Sequence, residues 1–418
     1  MRKVLTVLVV IGTTLWFSAC KNEVLPIVTP VVKTGVITAD ETWSSNAIFE
    51  LKGRVIVDAG VTLTIEAGAI IKAHEGGAEN ASVLIISRGG KINAVGNANQ
   101  PIIFTSVLDE INIGETKSTL IKENNETWGG IIILGNAPIS AKSGDTESSI
   151  EGLPANETYG KYGGTDIADN SGILKYVSIR FGGITIGEGN EINGLTLGGV
   201  GAGTIIDNIE VFATLDDGIE FFGGTVNVSN ALVAWQGDDG IDIDQNYAGT
   251  ISNFVVTHGA GVGTDEGLEI DGPEGTAKDG LFTLKNGTIL SDGDGSAADF
   301  KSKAQGTVEN VTFSGYTGGA ILKFRTSMED FCGATKSDAF LYLTQVSPKL
   351  SVTGSTFDAV KVYTKSYPNG ANQTTDPACD LKINDQSDAE AAVVPVATAK
   401  GADTSVFTWT AAYEAGLF

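Results

Sequence analysis

Between residues 216 and 325 the chain repeats a short acidic phrase. Asp217-Gly218-Ile219-Glu220-Phe221 is followed by Asp239-Gly240-Ile241-Asp242-Ile243, then Glu266-Gly267-Leu268-Glu269-Ile270, then Ala297-Ala298-Asp299-Phe300. The central acids, Glu220, Asp242, Glu269 and Asp299, are spaced by 22, 27 and 30 residues. A unit of this length that recurs marks a solenoid. Within each unit the pattern has period two: Ile219 and Phe221 flank Glu220, Ile241 and Ile243 flank Asp242, and Leu268 and Ile270 flank Glu269. Apolar side chains therefore point to one side of a strand and acids to the other. A single such strand cannot bury its apolar side, but stacked copies can.

The expected fold is all-β, a right-handed parallel β-helix with long loop insertions and a small C-terminal cap. The handedness follows from the rule for parallel crossovers. A second series supports the stacking. Asn208, Asn230, Asn253, Asn286 and Asn310 recur with the repeat. An Asn at one corner of every coil tolerates the bend and can hydrogen-bond its neighbours above and below. A structural ladder is the reading we adopt for these five.

Upstream, Met1-Arg2-Lys3 precedes an apolar run from Val4 to Phe17, which ends Phe17-Ser18-Ala19-Cys20. The run is short for a bilayer span. It resembles a bacterial lipoprotein signal, with Phe17 where Leu is usual. The resemblance implies a signal peptide over 1–19 and a lipid on Cys20, anchoring the chain to the outer membrane. Lys21-Asn22-Glu23 resembles the charged tag of cell-surface lipoproteins in Bacteroidota. Residues 20–35, with Pro26 and Pro30, read as a tether. The β-helix is expected over 36–330, and the last turns and cap over 331–418, with Asp403 to Phe418 covering the open edge of the stack. Thr62-Leu63-Thr64-Ile65, Gly89-Gly90-Lys91-Ile92 and Trp128-Gly129-Gly130-Ile131 resemble the pectin-lyase-like extracellular β-helix proteins. Two polar stretches, 107–126 and 141–170, interrupt the stack and read as exposed loops, where function often sits in repeat proteins.

A formal net charge of −24 excludes nucleic acid as a partner, because the phosphate backbone would be repelled. With Cys20 assigned to lipid, Cys332 and Cys379 form an even pair. A disulfide between them is expected outside the cell.

Like charges facing each other on neighbouring strands cost stability. The acids Glu220, Asp242 and Glu269, with Asp244 and Asp271 in a second column, therefore need a Ca²⁺ ion, shared protons, or screening by Lys301, Lys323 and Arg325. Asp292-Gly293-Asp294 is no EF-hand, since position 303 is Lys. Asp217, Asp238 and Asp239 resemble the acid pairs of polygalacturonase-type glycoside hydrolases. In those enzymes, one acid protonates the leaving group and another activates water. The likeness stops there. Asp265-Glu266-Gly267 stands where that family has Gly-His-Gly, and Asp299-Phe300-Lys301 where it has Arg-x-Lys. The sequence therefore points to a non-enzymatic surface module that binds a glycan or an outer-membrane protein complex. Trp235 and Tyr247 are candidates for stacking on sugars. A glycan hydrolase and a Ca²⁺-dependent adhesin are the alternatives.

Overall fold

The computed structural model describes residues 29–77, 80–187, 190–326, 338–364 and 383–418. Cys20, Cys332 and Cys379 lie outside these residues, and with them the lipid attachment and the disulfide.

Twenty-three strands join in one sheet that winds into a parallel β-helix with three ladders. The first ladder runs from Glu41–Trp43 through Thr62–Ile65 and Lys91–Val95. It continues in the leading halves of the longer strands Gly172–Arg180, Ile205–Phe212, Asn227–Ala234, Thr250–Thr257, Phe282–Leu290 and Gly306–Ser314. The trailing halves of those strands form the second ladder, below Ile70–Ala73 and Ile102–Ser106. The third ladder stacks Val83–Ile86, Ile131–Leu134, Leu195–Gly198, Ile219–Phe222, Ile241–Asp244, Glu266–Ile270, Ser296–Phe300, Ile321–Thr326 and Ala359–Thr364.

The first and second ladders meet at a bend where the backbone turns left-handed. Asn208, Asn230, Asn253, Asn286 and Asn310 hold φ between 53° and 56° there. Asn occupies this region at less cost than most side chains. The expected ladder forms in part: Asn253 Nδ2 donates to Asn230 Oδ1 at 2.7 Å, and Asn310 Nδ2 to Asn286 Oδ1 at 2.6 Å. One coil earlier Tyr176 makes the same bend at φ 52°, with its ring edge-on to Trp409.

Inward-facing Ile219, Phe221, Ile241, Ile243, Leu268, Ile270 and Phe300 are all buried in one core that runs the length of the stack. Phe300 and Phe324, one coil apart, stack at 4.8 Å between ring centroids. Tyr247 belongs to this core. It is 2% exposed, its ring lies 4.6 Å from Phe221, and its hydroxyl donates to Val226 O at 2.6 Å. It therefore offers no surface to a sugar. Gln245 and Asn246 both have positive φ, and two such residues in succession break the in-out alternation and turn Tyr247 inward.

The C-terminal end of the stack is covered by two helices, α1 (Ala339–Thr344) and α2 (Ile383–Ala392). Phe340, Leu343 and Ala389 from these helices close the core, removing an open edge. The stretch expected to form that cover, 403–418, does something else. After α2 the chain turns back and runs along the outside of the second ladder towards the N-terminus. Val396 N bonds Ser355 O, Lys400 N bonds Asn310 Oδ1, and Ala402 N bonds Thr288 Oγ1. Asp403 N then bonds Asn253 Oδ1 at 2.6 Å, and the strap ends in a short helix, α3 (Ala411–Glu414). Phe407, Ala411 and Ala412 pack on Phe181, Phe212 and Leu232.

Neither insertion is a free loop. Residues 107–126 are tied down by Asp109, fully buried, which accepts from Thr105 Oγ1 at 2.9 Å and Ser118 Oγ at 2.8 Å. Ile111 packs against Ile70 and Ile103. The second insertion lies over the outer side of the third ladder, where Ile150, Leu153 and Tyr162 meet Ile132, Leu134 and Phe222. A small antiparallel hairpin, Ile184–Gly187 with Asn190–Ile192, adjoins it.

Candidate functional site

The repeated acid-Gly pair forms the corner that leads into the third ladder. A Cβ on Gly240 would sit 2.5 Å from Val256 Cγ1 and 2.7 Å from Gly267 O, so the corner admits no side chain there. The acid before each Gly is used in the same corner. Asp217 Oδ1 accepts the backbone N–H of Asp239 at 2.9 Å, and Asp239 Oδ1 accepts that of Glu266 at 2.6 Å. These bonds tie three coils together.

Beyond the corner, Glu220, Asp242, Glu269, Asp299 and Lys323 stand opposite one another in register, on the outer side of the third ladder. The column divides into two halves. In the lower half every acid has a cation. Arg325 Nε lies 2.9 Å from each oxygen of Asp299, Lys301 pairs with Glu269, and Lys323 with Glu266. The upper half has none within ion-pair distance among the described residues. There, one oxygen each from Asp217, Glu220 and Asp242 lie within 4.8 Å of one another. Asp216, Asp217 and Asp238 are as close, and so, across the boundary with the paired half, are Asp239, Asp242 and the Lys301-paired Glu269. Asp242 is shared by two of these groups, and its Oδ1 is buried with no hydrogen-bond partner. Glu220 accepts from the Asn193 side chain, which also contacts Thr196 Oγ1 at 3.2 Å.

Asp244 and Asp271 fall outside these groups. Asp244 stands near Asp271 and Glu274, and Lys142 lies 3.0 Å from Glu274. Three contributors carry no repeat signal: Glu151 from the second insertion, Glu191 from the hairpin, and Asn193. Their only trace in the sequence is that they fall in or beside an interruption of the stack.

Crowding acids out of water resists ionisation. Burial first, then Glu151 and Asp217, holds the Glu220 carboxyl well above its ordinary range. Burial and then Asp239 do the same to Asp217, as do burial and Asp244 to Asp242. Burial with Asp238 pushes Asp216 up to about 8 and Asp239 up to about 8. Burial and Glu191 push Glu151 up to about 7. Such a group reaches low energy by keeping protons or by sharing a cation. The donors are all oxygens, which suits Ca²⁺ or another hard ion rather than a soft transition metal.

The arrangement suits hydrolysis less well. Asp217 is 7% and Asp239 3% exposed, and each already spends an oxygen on the backbone; only Asp238 faces solvent. An inverting glycosidase seats a water between carboxyls about 6.5 to 9.5 Å apart, whereas Asp216, Asp217 and Asp238 bring one oxygen each within 4.8 Å of one another. His258 is buried between Thr264 and Tyr316, and burial pulls its pKa down to about 4.

Residues 35–414 match the sequence model described as "Pectate-lyase like beta helix domain". No curated protein and no solved structure matches the chain. With its three-ladder coil and a match across nearly the whole chain, the protein belongs to the pectate-lyase-like β-helix domain family.

Proposed function

We propose that the chain is a lipid-anchored module of the outer membrane, facing outward, that binds its partner rather than cleaving it. On this reading the upper half of the acidic column holds a Ca²⁺ ion. The observation that carries it is the buried, partnerless Asp242 Oδ1, shared between a group with Asp217 and Glu220 that meets no basic side chain among the described residues and a second with Asp239 and Glu269, of which Glu269 meets Lys301. The leader ending at Cys20 and the tether to residue 35 support the anchor. A Ca²⁺ ion sharing Glu220 and Asp242 with an incoming oxygen ligand would recruit a glycan, or an acidic patch of an outer-membrane protein complex.

Calcium titration of the chelator-treated protein, followed by calorimetry and thermal melting, tests this. One saturating site is expected, with a higher Tm, and Asp242→Asn should abolish both. A glycan panel should show retention without turnover. Sustained turnover that Asp238→Asn removes with the fold intact would overturn the reading in favour of a hydrolase.

A further inference from the structure

A second cavity lies on the opposite flank and takes no part in the acidic column. It encloses about 270 Å³, where three distant parts of the chain meet. The floor is Phe212 and Trp235, from successive coils of the second ladder, with ring centroids 4.9 Å apart. The 107–126 insertion supplies one wall through Leu120 and Ile121. The strap supplies the other through α3, whose first two residues are held by Glu210.

Two properties narrow what fits. The lining is almost wholly carbon, so a bare sugar would lose its water without gaining partners. The volume is at or below the small end of ligand pockets, about 300 to 1,000 Å³, and holds one or two rings rather than a polymer. The mouth is basic in a chain of net charge −24. Lys117 is exposed and Lys122 half-buried, and neither makes an ion pair among the described residues. Lys122 lies 5.9 Å from the Trp235 ring centroid and donates to Ala260 O. The single acid at the rim, Glu414, accepts from Thr116 Oγ1 at 2.7 Å.

We propose that this cavity binds a small amphiphilic acid: an aromatic or short aliphatic body on Trp235 and Phe212, with its carboxylate at Lys117 and Lys122. An aromatic face is a favourable platform for a second ring, and a hydrogen bond from an ammonium to a carboxylate is stronger than one between neutral groups.

Calorimetry on the full chain with indole-3-acetate, and with neutral indole as control, tests it. Single-site binding of indole-3-acetate is expected. The double variant Lys117→Ala with Lys122→Ala should weaken indole-3-acetate about tenfold and leave indole nearly unchanged. Trp235→Ala should weaken both. Trp235 also packs against Phe212, so a second variant guards against misfolding: Ala415→Phe, at an exposed position on the rim, should block both ligands while leaving the melting curve alone. Absence of saturable binding, or binding that Ala415→Phe does not reduce, would sink the proposal. Binding of indole but no preference for the acid would overturn the assigned chemistry at the mouth.

Discussion

Asp299, 1% exposed, lies in the fork of Arg325 from the next coil, with both carboxylate oxygens 2.9 Å from Nε. Removing one member of a buried pair strands the other, at a cost of about 3 to 5 kcal/mol. Arg325→Ala should therefore lower stability by about 3 kcal/mol, since its own side chain is partly exposed. Urea unfolding of that variant beside Asp299→Leu with Arg325→Met checks this. The double apolar replacement should recover most of the loss.

The acids in and beside the column set a pH dependence of unusual sign. Asp216, Asp239 and Asp244 have ordinary values near 3.8 and are pushed up to about 8 in the fold. Between those limits the folded chain holds more protons than the unfolded one, so stability falls as pH rises from about 4 to about 8. In chelator the melting temperature should be higher near pH 5 than near pH 8.5. Calcium should flatten the slope by supplying at high pH the positive charge that protons supply at low pH. A chelated protein whose melting temperature climbs across this window would contradict the argument.

The corner at Asn253 separates backbone strain from hydrogen bonding. Its φ is 56°, and its side chain donates to Asn230 and accepts from Asp403 N. Asn253→Gly keeps the bend and loses the bonds. Asn253→Ala loses both, and the left-handed backbone adds about 1 to 2 kcal/mol. Denaturant midpoints should fall in the order Asn, Gly, Ala.

Glu210 is fully buried and accepts from Ser178 Oγ at 2.5 Å, Ala411 N at 3.0 Å and Ala412 N at 2.9 Å. Hydrogen bonds to a charged group contribute about 1.5 to 3 kcal/mol each. Glu210→Ala should free the end of the strap, which protease cleavage near Phe407 and a change in Trp409 fluorescence would register.

The coil was legible because its two constraints are local. Alternation about Glu220, Asp242 and Glu269 fixes which side faces the core, and the bend demands a residue such as Asn at one place per turn. Register then followed from spacing alone. The site was half legible. The acids of the column could be counted, but the division between its paired and unpaired halves depends on Arg325 reaching Asp299 and Lys301 reaching Glu269. Glu151 and Glu191 arrive from segments with no period, so nothing in the chain announced them. Tyr247 was misread because two left-handed residues before it invert the alternation on which the reading relied. The strap was misread because its partners, Glu210, Asn253 and Asn310, sit in coils far earlier in the chain.

That return path gives the molecule a direction in time. Coils can be laid down one upon another as the polypeptide emerges, each resting on the last, and the flank holding Phe181, Phe212 and Leu232 stays bare throughout. The latch that fits over it lies downstream of every one of those coils, so a chain stopped before Phe407 would be wound and yet unfastened.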